Sequence, residues 1–289
     1  MHRPNRINFL SKKPTLLVVT TFTTLLSSLF AFTGEPVTVP PSINHDAWDK
    51  LVVKYVKESG LVAYAEWKAN QADLKHLDQY LAQFAKTPAT PATGYDKAAS
   101  LINLYNALAV RTILENYPTD SIQSLPKPFN AKRLEVGGKK VSLNDIEHGA
   151  LRPLIGYRAH AVIVCAARSC PPLQRFAYRE DKLNAEIDTA YLAWLGRNDL
   201  NRFLPNEKKV EISSIFNWFK ADFEKAGGTK EVLAKHAPEN ARDFLGSGDY
   251  EINYLPYNWG LNDQGTQGNG YGRGHLLWDR FVDFMTFWN

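Results

Sequence analysis

The segment that most constrains this chain is residues 97–117. Leu101, Leu104, Tyr105, Leu108, Val110, Ile113 and Leu114 recur there at helical spacing and cover much of the circumference. A helix that is apolar on most sides must be surrounded by other elements, so this one is central. Pro118 stops it. Asn103 and Asn106 lie on the same helix. Buried amides need partners, so these two are either structural clamps or site residues.

The remaining segments supply what wraps that helix. Residues 34–42 are proline-rich and read as a linker. Trp48, Leu51, Val52, Tyr55 and Val56 mark a first amphipathic helix ended by Gly60, and Trp67 to Phe84 a second. Residues 134–141 predict a β-hairpin turning on Gly137-Gly138. Ser142 then caps a short helix over 143–151, with Asp145 in its first turn and the pair Glu147-His148 further along. A strand is expected over 161–164, a helix over 181–195, a strand at 210–212, a helix over 215–225 closed by Gly227-Gly228, and a strand over 250–255. Helices outnumber short, scattered strands. The fold class is therefore α+β, a single helix-rich domain over residues 43–263. Residues 264–289 form a glycine-rich loop and an aromatic C-terminal helix, too short to cross a membrane, that must dock on something.

Arg3, Arg6, Lys12 and Lys13 precede an uncharged stretch running through residues 14–33, with Ala31-Phe32-Thr33 as a usable cleavage site. This pattern predicts an export signal over residues 1–33, either cleaved or kept as a membrane anchor through residues 14–33. The expected location is extracytoplasmic, periplasmic or secreted, with membrane contact only through an uncleaved N-terminal segment. The net charge is +4 and no dense basic run follows the N-terminus, so nucleic-acid binding has no support. An oxidising compartment permits a disulfide.

The chemistry concentrates in residues 160–172, HAVIVCAARSCPP, which hold both cysteines of the chain. Pro171 and Pro172 suit the first turn of a helix. A helix beginning there would place Cys170 at its N-terminus and stabilise a thiolate, with Arg168 adding to the effect. A thiolate near an imidazole is the core of Cys-based acyl transfer. His148 and His160 are the candidate bases, and Glu147 or Asn103 the candidates to orient them. Asn106, Arg168, Ser169, Tyr257 and Trp259 are the candidates to bind substrate, the last two as an aromatic lip. Two other readings stay open. Cys165 and Cys170 could close a structural or redox disulfide across the turn, or both could be inert buried thiols. His148, His160, Glu147 and Cys170 are sound zinc ligands by type, but no HExxH or CxxC spacing ties them together, and no metal or cofactor is expected.

Several segments resemble the family called domain of unknown function 547. They are WDKLVVKYV, GLVAYAEW, LINLYNALAV, VSLNDIEHGALRP, HAVIVCAARSCPPL, SSIFNWFKADF and INYLPYNWGLN. The resemblance runs over about residues 44–262 and is of the exported bacterial type. It marks Asn103, Tyr105, Asn106, Asp145, Glu147, His148, Arg152, His160, Ser169, Cys170 and Pro171 as positions the family keeps, and it implies no activity or substrate. Two function classes follow from the residues. One is a thiol-dependent hydrolase or acyl transferase acting on a peptide-like substrate through Cys170 and a histidine. The other is a non-enzymatic binding or scaffold module with a structural or redox Cys165–Cys170 bond and a peptide-like or protein partner.

Overall fold

A computed structural model of the protein describes residues 37–265. The expected export signal over residues 1–33 lies outside the described residues, as does the expected aromatic C-terminal helix. The architecture is α+β and helix-rich, as the pattern predicts. Among the described residues no helix is long and apolar enough to cross a membrane.

Helix α4 (Gly94–Asn116) runs through the core, with residues 98–110 and 112–114 all buried. It ends where Tyr117 adopts the extended backbone that a following proline imposes. Helices α1 (Asp46–Tyr55), α2 (Tyr64–Ala69) and α3 (Gln71–Ala82) pack nearby through aromatic rings. Tyr55 stacks on Trp67 at 4.6 Å between ring centroids, and Trp48 on Tyr80 at 6.1 Å. The second expected helix is thus two helices. They part at Asn70, whose side-chain oxygen accepts the Asp73 N–H at 3.1 Å and caps α3.

The predicted hairpin forms as β1 (Leu134–Val136) and β2 (Lys139–Val141), and Gly137 and Gly138 take the positive φ its two-residue turn requires. Ser142 and Asp145 then make a reciprocal capping box on α5 (Leu143–Ile146). The helix does not run on regularly to residue 151. It widens into a π-turn (Glu147–Leu151), tightens to α6 (Arg152–Ile155) and ends in a 3₁₀ segment (Gly156–Ala161).

The structure departs from two local expectations. Residues 161–164 are apolar and buried but belong to no sheet. The Asn106 side chain supplies the pairing a neighbouring strand would give. Its Nδ2 donates to the Val162 carbonyl and its Oδ1 accepts the Val164 N–H, both at 2.8 Å. Nor does a helix start at Cys170, because residues 171–179 are irregular. Asn103 anchors that stretch in the same way, holding the Tyr178 N–H and carbonyl at 2.9 Å each.

Beyond α7 (Leu183–Leu195), strands β3 (Arg202–Leu204), β4 (Lys209–Ser213) and β5 (Glu251–Leu255) form one sheet, antiparallel between β3 and β4 and parallel between β4 and β5. The three-residue β3 was not foreseen. The expected helix over 215–225 is broken at Phe219 into α8 (Ile215–Trp218) and α9 (Lys220–Glu224). Helices α10 (Thr229–Lys235) and α11 (Arg242–Ser247) fill the crossover to β5.

Candidate functional site

The cysteine loop is held by the segment that follows β5. Arg168 N–H donates to the Gly260 carbonyl at 2.8 Å, Ser169 N–H to Asn258 at 3.2 Å, and Asn262 N–H to Ala166 at 3.0 Å. The Ser169 hydroxyl accepts the Asn258 N–H at 2.8 Å. Residues 166–169 and 258–262 thereby make a short antiparallel ladder, which carries Tyr257 onto the cysteines. Ala166 sits at φ 60°, the left-handed region, between Cys165 and Ala167, whose backbone groups hydrogen-bond to the Cys170 sulfur.

Both cysteines are free thiols. Cys170 is 4% exposed and Cys165 half-buried. The Cys170 sulfur accepts the Cys165 N–H at 3.1 Å and lies 3.1 Å from the Tyr257 hydroxyl, which is also 3.4 Å from the Cys165 sulfur. Burial alone pushes the Cys170 thiol up. Hydrogen bonds from the Cys165 side chain, the Tyr257 hydroxyl and the backbone of Ala167 and Cys165 outweigh it, and the thiol falls below its ordinary range. Its hydrogen bond to Cys170, then burial, push Cys165 well up. Tyr257 is also pushed well up, by burial first and the two sulfurs second, so it stays a neutral O–H donor. The thiolate cradle expected from a helix N-terminus is thus built from backbone amides, a phenol and a second thiol. Arg168 takes no part in the hydrogen bonds that lower the Cys170 thiol; its guanidinium donates to the Asp263 carbonyl at 3.1 Å.

The histidines form a second cluster. His160 is 3% exposed and stacks on Phe219 at 4.1 Å. Its Nε2 lies 2.8 Å from Asp222 Oδ2, and Arg152 Nε donates to the same oxygen at 2.7 Å. Burial lowers His160 despite that carboxylate, so the ring is neutral and its N–H donates. Burial would raise Asp222, but His160 and Arg152 hold it well below the usual carboxylate range. Arg152 also reaches His148 Nδ1 at 2.7 Å. A guanidinium can only donate, so Nδ1 accepts and the neutral ring carries its proton on Nε2. Burial lowers His148 as well. In this tautomer His148 is a hydrogen-bond donor at Nε2, not a base.

Glu147 is buried at the π-turn, 4.0 Å from His148 Nδ1 and hydrogen-bonded to the Tyr105 hydroxyl. It is also among the neighbours that bear electrostatically on both histidines and on Cys165. Asn103 and Asn106 use both ends of their amides on backbone and act as clamps. Asn103 therefore orients neither imidazole, and the Asn106 amide is occupied by Val162 and Val164. Trp259 packs on Tyr257, at 4.6 Å, and on Trp218, at 6.0 Å. Among the described residues, the side chains hydrogen-bonded to the Cys170 sulfur are those of Cys165 and Tyr257, and neither imidazole is one of them. No group of three or more metal-binding side chains gathers among the described residues. A cleft of about 680 Å³ beside α1 is lined by Lys54, Lys57, Glu66, Arg175 and Gln264, and by none of these site residues.

Sequence reasoning missed Asp222 and Phe219. The available signal was an acid placed between Phe219 and Phe223 in an apolar helical stretch, where a carboxylate is buried and must be paired.

The model of one protein family, described as Protein of unknown function, DUF547, matches residues 92–195. That match supports the resemblance to this family over those residues. The match runs from just before α4 to the end of α7. It holds the clamps, the π-turn and both cysteines, while Asp222, Tyr257 and Trp259 come from beyond it. No curated protein and no solved structure matches the chain.

Proposed function

We propose that the protein is a thiol–disulfide module whose Cys165–Cys170 pair cycles between dithiol and disulfide, acting outside the cytoplasm on a disulfide-bearing peptide or protein partner. The observation that carries this reading is the convergence of Tyr257 O–H, Cys165 N–H and the Cys165 thiol on one buried sulfur. A stabilised thiolate in contact with a second, more accessible thiol is arranged for exchange. Cys165 meets the partner. Its proton passes to Cys170 along the S–H···S⁻ hydrogen bond, and its sulfur attacks one sulfur of the partner disulfide. A mixed disulfide forms and the other partner sulfur leaves as a thiolate that takes up a proton. The proton that Cys170 received then leaves it, and the Cys170 thiolate attacks the Cys165 sulfur, closes the internal bond and expels the remaining partner sulfur as a thiolate, which takes up a proton. The partner gains two electrons from the pair, one proton from the pair and one from solvent, and the pair is left as a disulfide. Acyl transfer through Cys170 and His148 needs an imidazole lone pair at the sulfur, whereas Nδ1 of His148 accepts from Arg152 and Nε2 holds a proton.

The test equilibrates the protein in graded mixtures of reduced and oxidised dithiothreitol and traps free thiols with a maleimide mass tag. The expected result is a single transition from doubly tagged to untagged protein, abolished in Cys165→Ser and in Cys170→Ser. Persistence of two tags under full oxidation, at a dose that oxidises a control dithiol protein, overturns the reading and leaves a scaffold role.

A further inference from the structure

The reach of the Tyr257 hydroxyl to both sulfurs, 3.1 Å to Cys170 and 3.4 Å to Cys165, gives this residue a role beyond lining a cleft. We propose that Tyr257 is the positioning residue of the pair, its hydroxyl donating to the Cys170 sulfur to hold it as a thiolate in the dithiol state. The inference deepens the thiol–disulfide reading and rests on it for its consequence in exchange.

The placement is built rather than incidental. Tyr257 is 2% exposed. Its ring is packed by Trp218 at 4.7 Å and Trp259 at 4.6 Å, so it cannot swing away from the sulfurs. The backbone next to it is tied to the cysteine loop by the Asn258 N–H to Ser169 Oγ bond. A phenol suits the task better than a cation here. It supplies one strong donor at a buried anion without adding a buried charge that must itself be solvated. It also stays protonated far above neutral pH, so its donation does not switch off in the range where thiols titrate.

The role has a thermodynamic signature. A thiolate accepts a hydrogen bond more strongly than a disulfide sulfur does. Tyr257 therefore stabilises the dithiol over the disulfide and makes the pair a stronger oxidant. It likewise eases departure of Cys170 when an outside thiolate opens the internal bond at Cys165, because a better-stabilised thiolate leaves faster.

The test compares wild type with Tyr257→Phe, which keeps the ring between the two tryptophans and deletes only the hydroxyl. Two quantities are read. The first is the pH titration of the Cys170 Cβ chemical shift in ¹³C-cysteine-labelled protein in a Cys165→Ser background, where the serine hydroxyl stands in for the neighbouring thiol. The second is the dithiothreitol equilibrium of the intact pair. Tyr257→Phe is expected to raise the Cys170 titration midpoint by about one pH unit, a tenfold change in the thiolate equilibrium. It is expected to move the potential of the pair about 30 mV more negative, the same tenfold converted for two electrons. An unmoved titration midpoint in folded Tyr257→Phe overturns the inference whether or not the wild type forms the bond. An absent bond in wild type with a shifted midpoint overturns the exchange reading alone. Should Tyr257→Phe not fold, the infrared difference spectrum of wild type, oxidised minus reduced, decides. A tyrosine C–O band supports the hydroxyl-to-thiolate bond, and its absence refutes it.

Discussion

Truncating Asn106 measures how strongly the fold depends on side-chain clamps where a strand might have been. In the native protein Asn106 pairs the Val162 carbonyl and the Val164 N–H, both buried, at 2.8 Å. Asn106→Ala removes both partners at once. An orphaned buried polar group costs about 1–3 kcal/mol, so two cost about 2–6 kcal/mol, before any loss of packing around α4. Total stabilities of about 5–15 kcal/mol make this a large fraction of the fold. Urea unfolding followed by tryptophan fluorescence is the assay. With a slope of about 3 kcal/mol per molar, a loss of about 3 kcal/mol lowers the midpoint by about 1 M. The freed segment leads directly into Cys165, so the Cys170 thiol should also react faster with maleimide at denaturant concentrations well below the transition. A midpoint within about 0.2 M of wild type would mean that residues 162–164 find other partners, and the clamp argument would be wrong.

Three further outcomes follow from the same structure. His45 and His236 are buried neutral, each lowered by burial to about 4; the unfolded chain binds protons first, so their contribution is complete above about pH 6.5 and is lost between there and about pH 4. The unfolding free energy from urea titrations should fall across that window by up to about 1.4 kcal/mol per pH unit for each histidine, and His45→Gln should flatten the slope. Gly60 has φ +80° and a Cβ there would lie 2.5 Å from the Pro172 Cα, so Gly60→Ala should destabilise by more than about 1 kcal/mol in thermal unfolding and disturb the exit of the cysteine loop. His148→Gln, whose amide oxygen can still accept from Arg152, should leave the Cys170 titration midpoint unmoved; a midpoint shift of about one unit would show that the imidazole does act on the sulfur.

The central helix, the hairpin and the capped turn at Ser142 were legible because each rests on short-range rules: periodicity, two glycines in a row, a serine three residues before an acid. The location of the chemistry was legible for a similar reason, since both cysteines fall in one short segment. What was not legible is set by long-range pairing. Residues 161–164 carry the composition of a strand, yet their partner is an amide side chain on α4, 56 and 58 residues away. The prolines after Cys170 are compatible with a helix start, but the chain beyond them is irregular and is held by Asn103 at Tyr178. Tyr257 meets the sulfurs only because the 258–262 segment ladders onto residues 166–169, a contact across roughly ninety residues that no local pattern encodes.

The partition of sulfurs and imidazoles into two clusters has a physical logic. Arg152 and Asp222 are oppositely charged and largely buried, and such a pair is stable only if its remaining hydrogen-bonding atoms are occupied. His160 donates to the same carboxylate oxygen as Arg152, His148 accepts from the guanidinium, and Phe219 lies under Arg152 at 4.8 Å and under His160 at 4.1 Å. Protonating His148 would set two cations against each other at 2.7 Å, so the ion pair itself keeps this imidazole neutral. His148, neutral and with its lone pair already taken, cannot draw a proton from a thiol, and the His160 ring is not among the groups hydrogen-bonded to the Cys170 sulfur. The thiolate must then be stabilised by groups that donate without accepting the proton in return, and amide N–H, a phenol of raised pKa and a second thiol are such groups. That combination suits a sulfur whose covalent partner is the thiol already beside it.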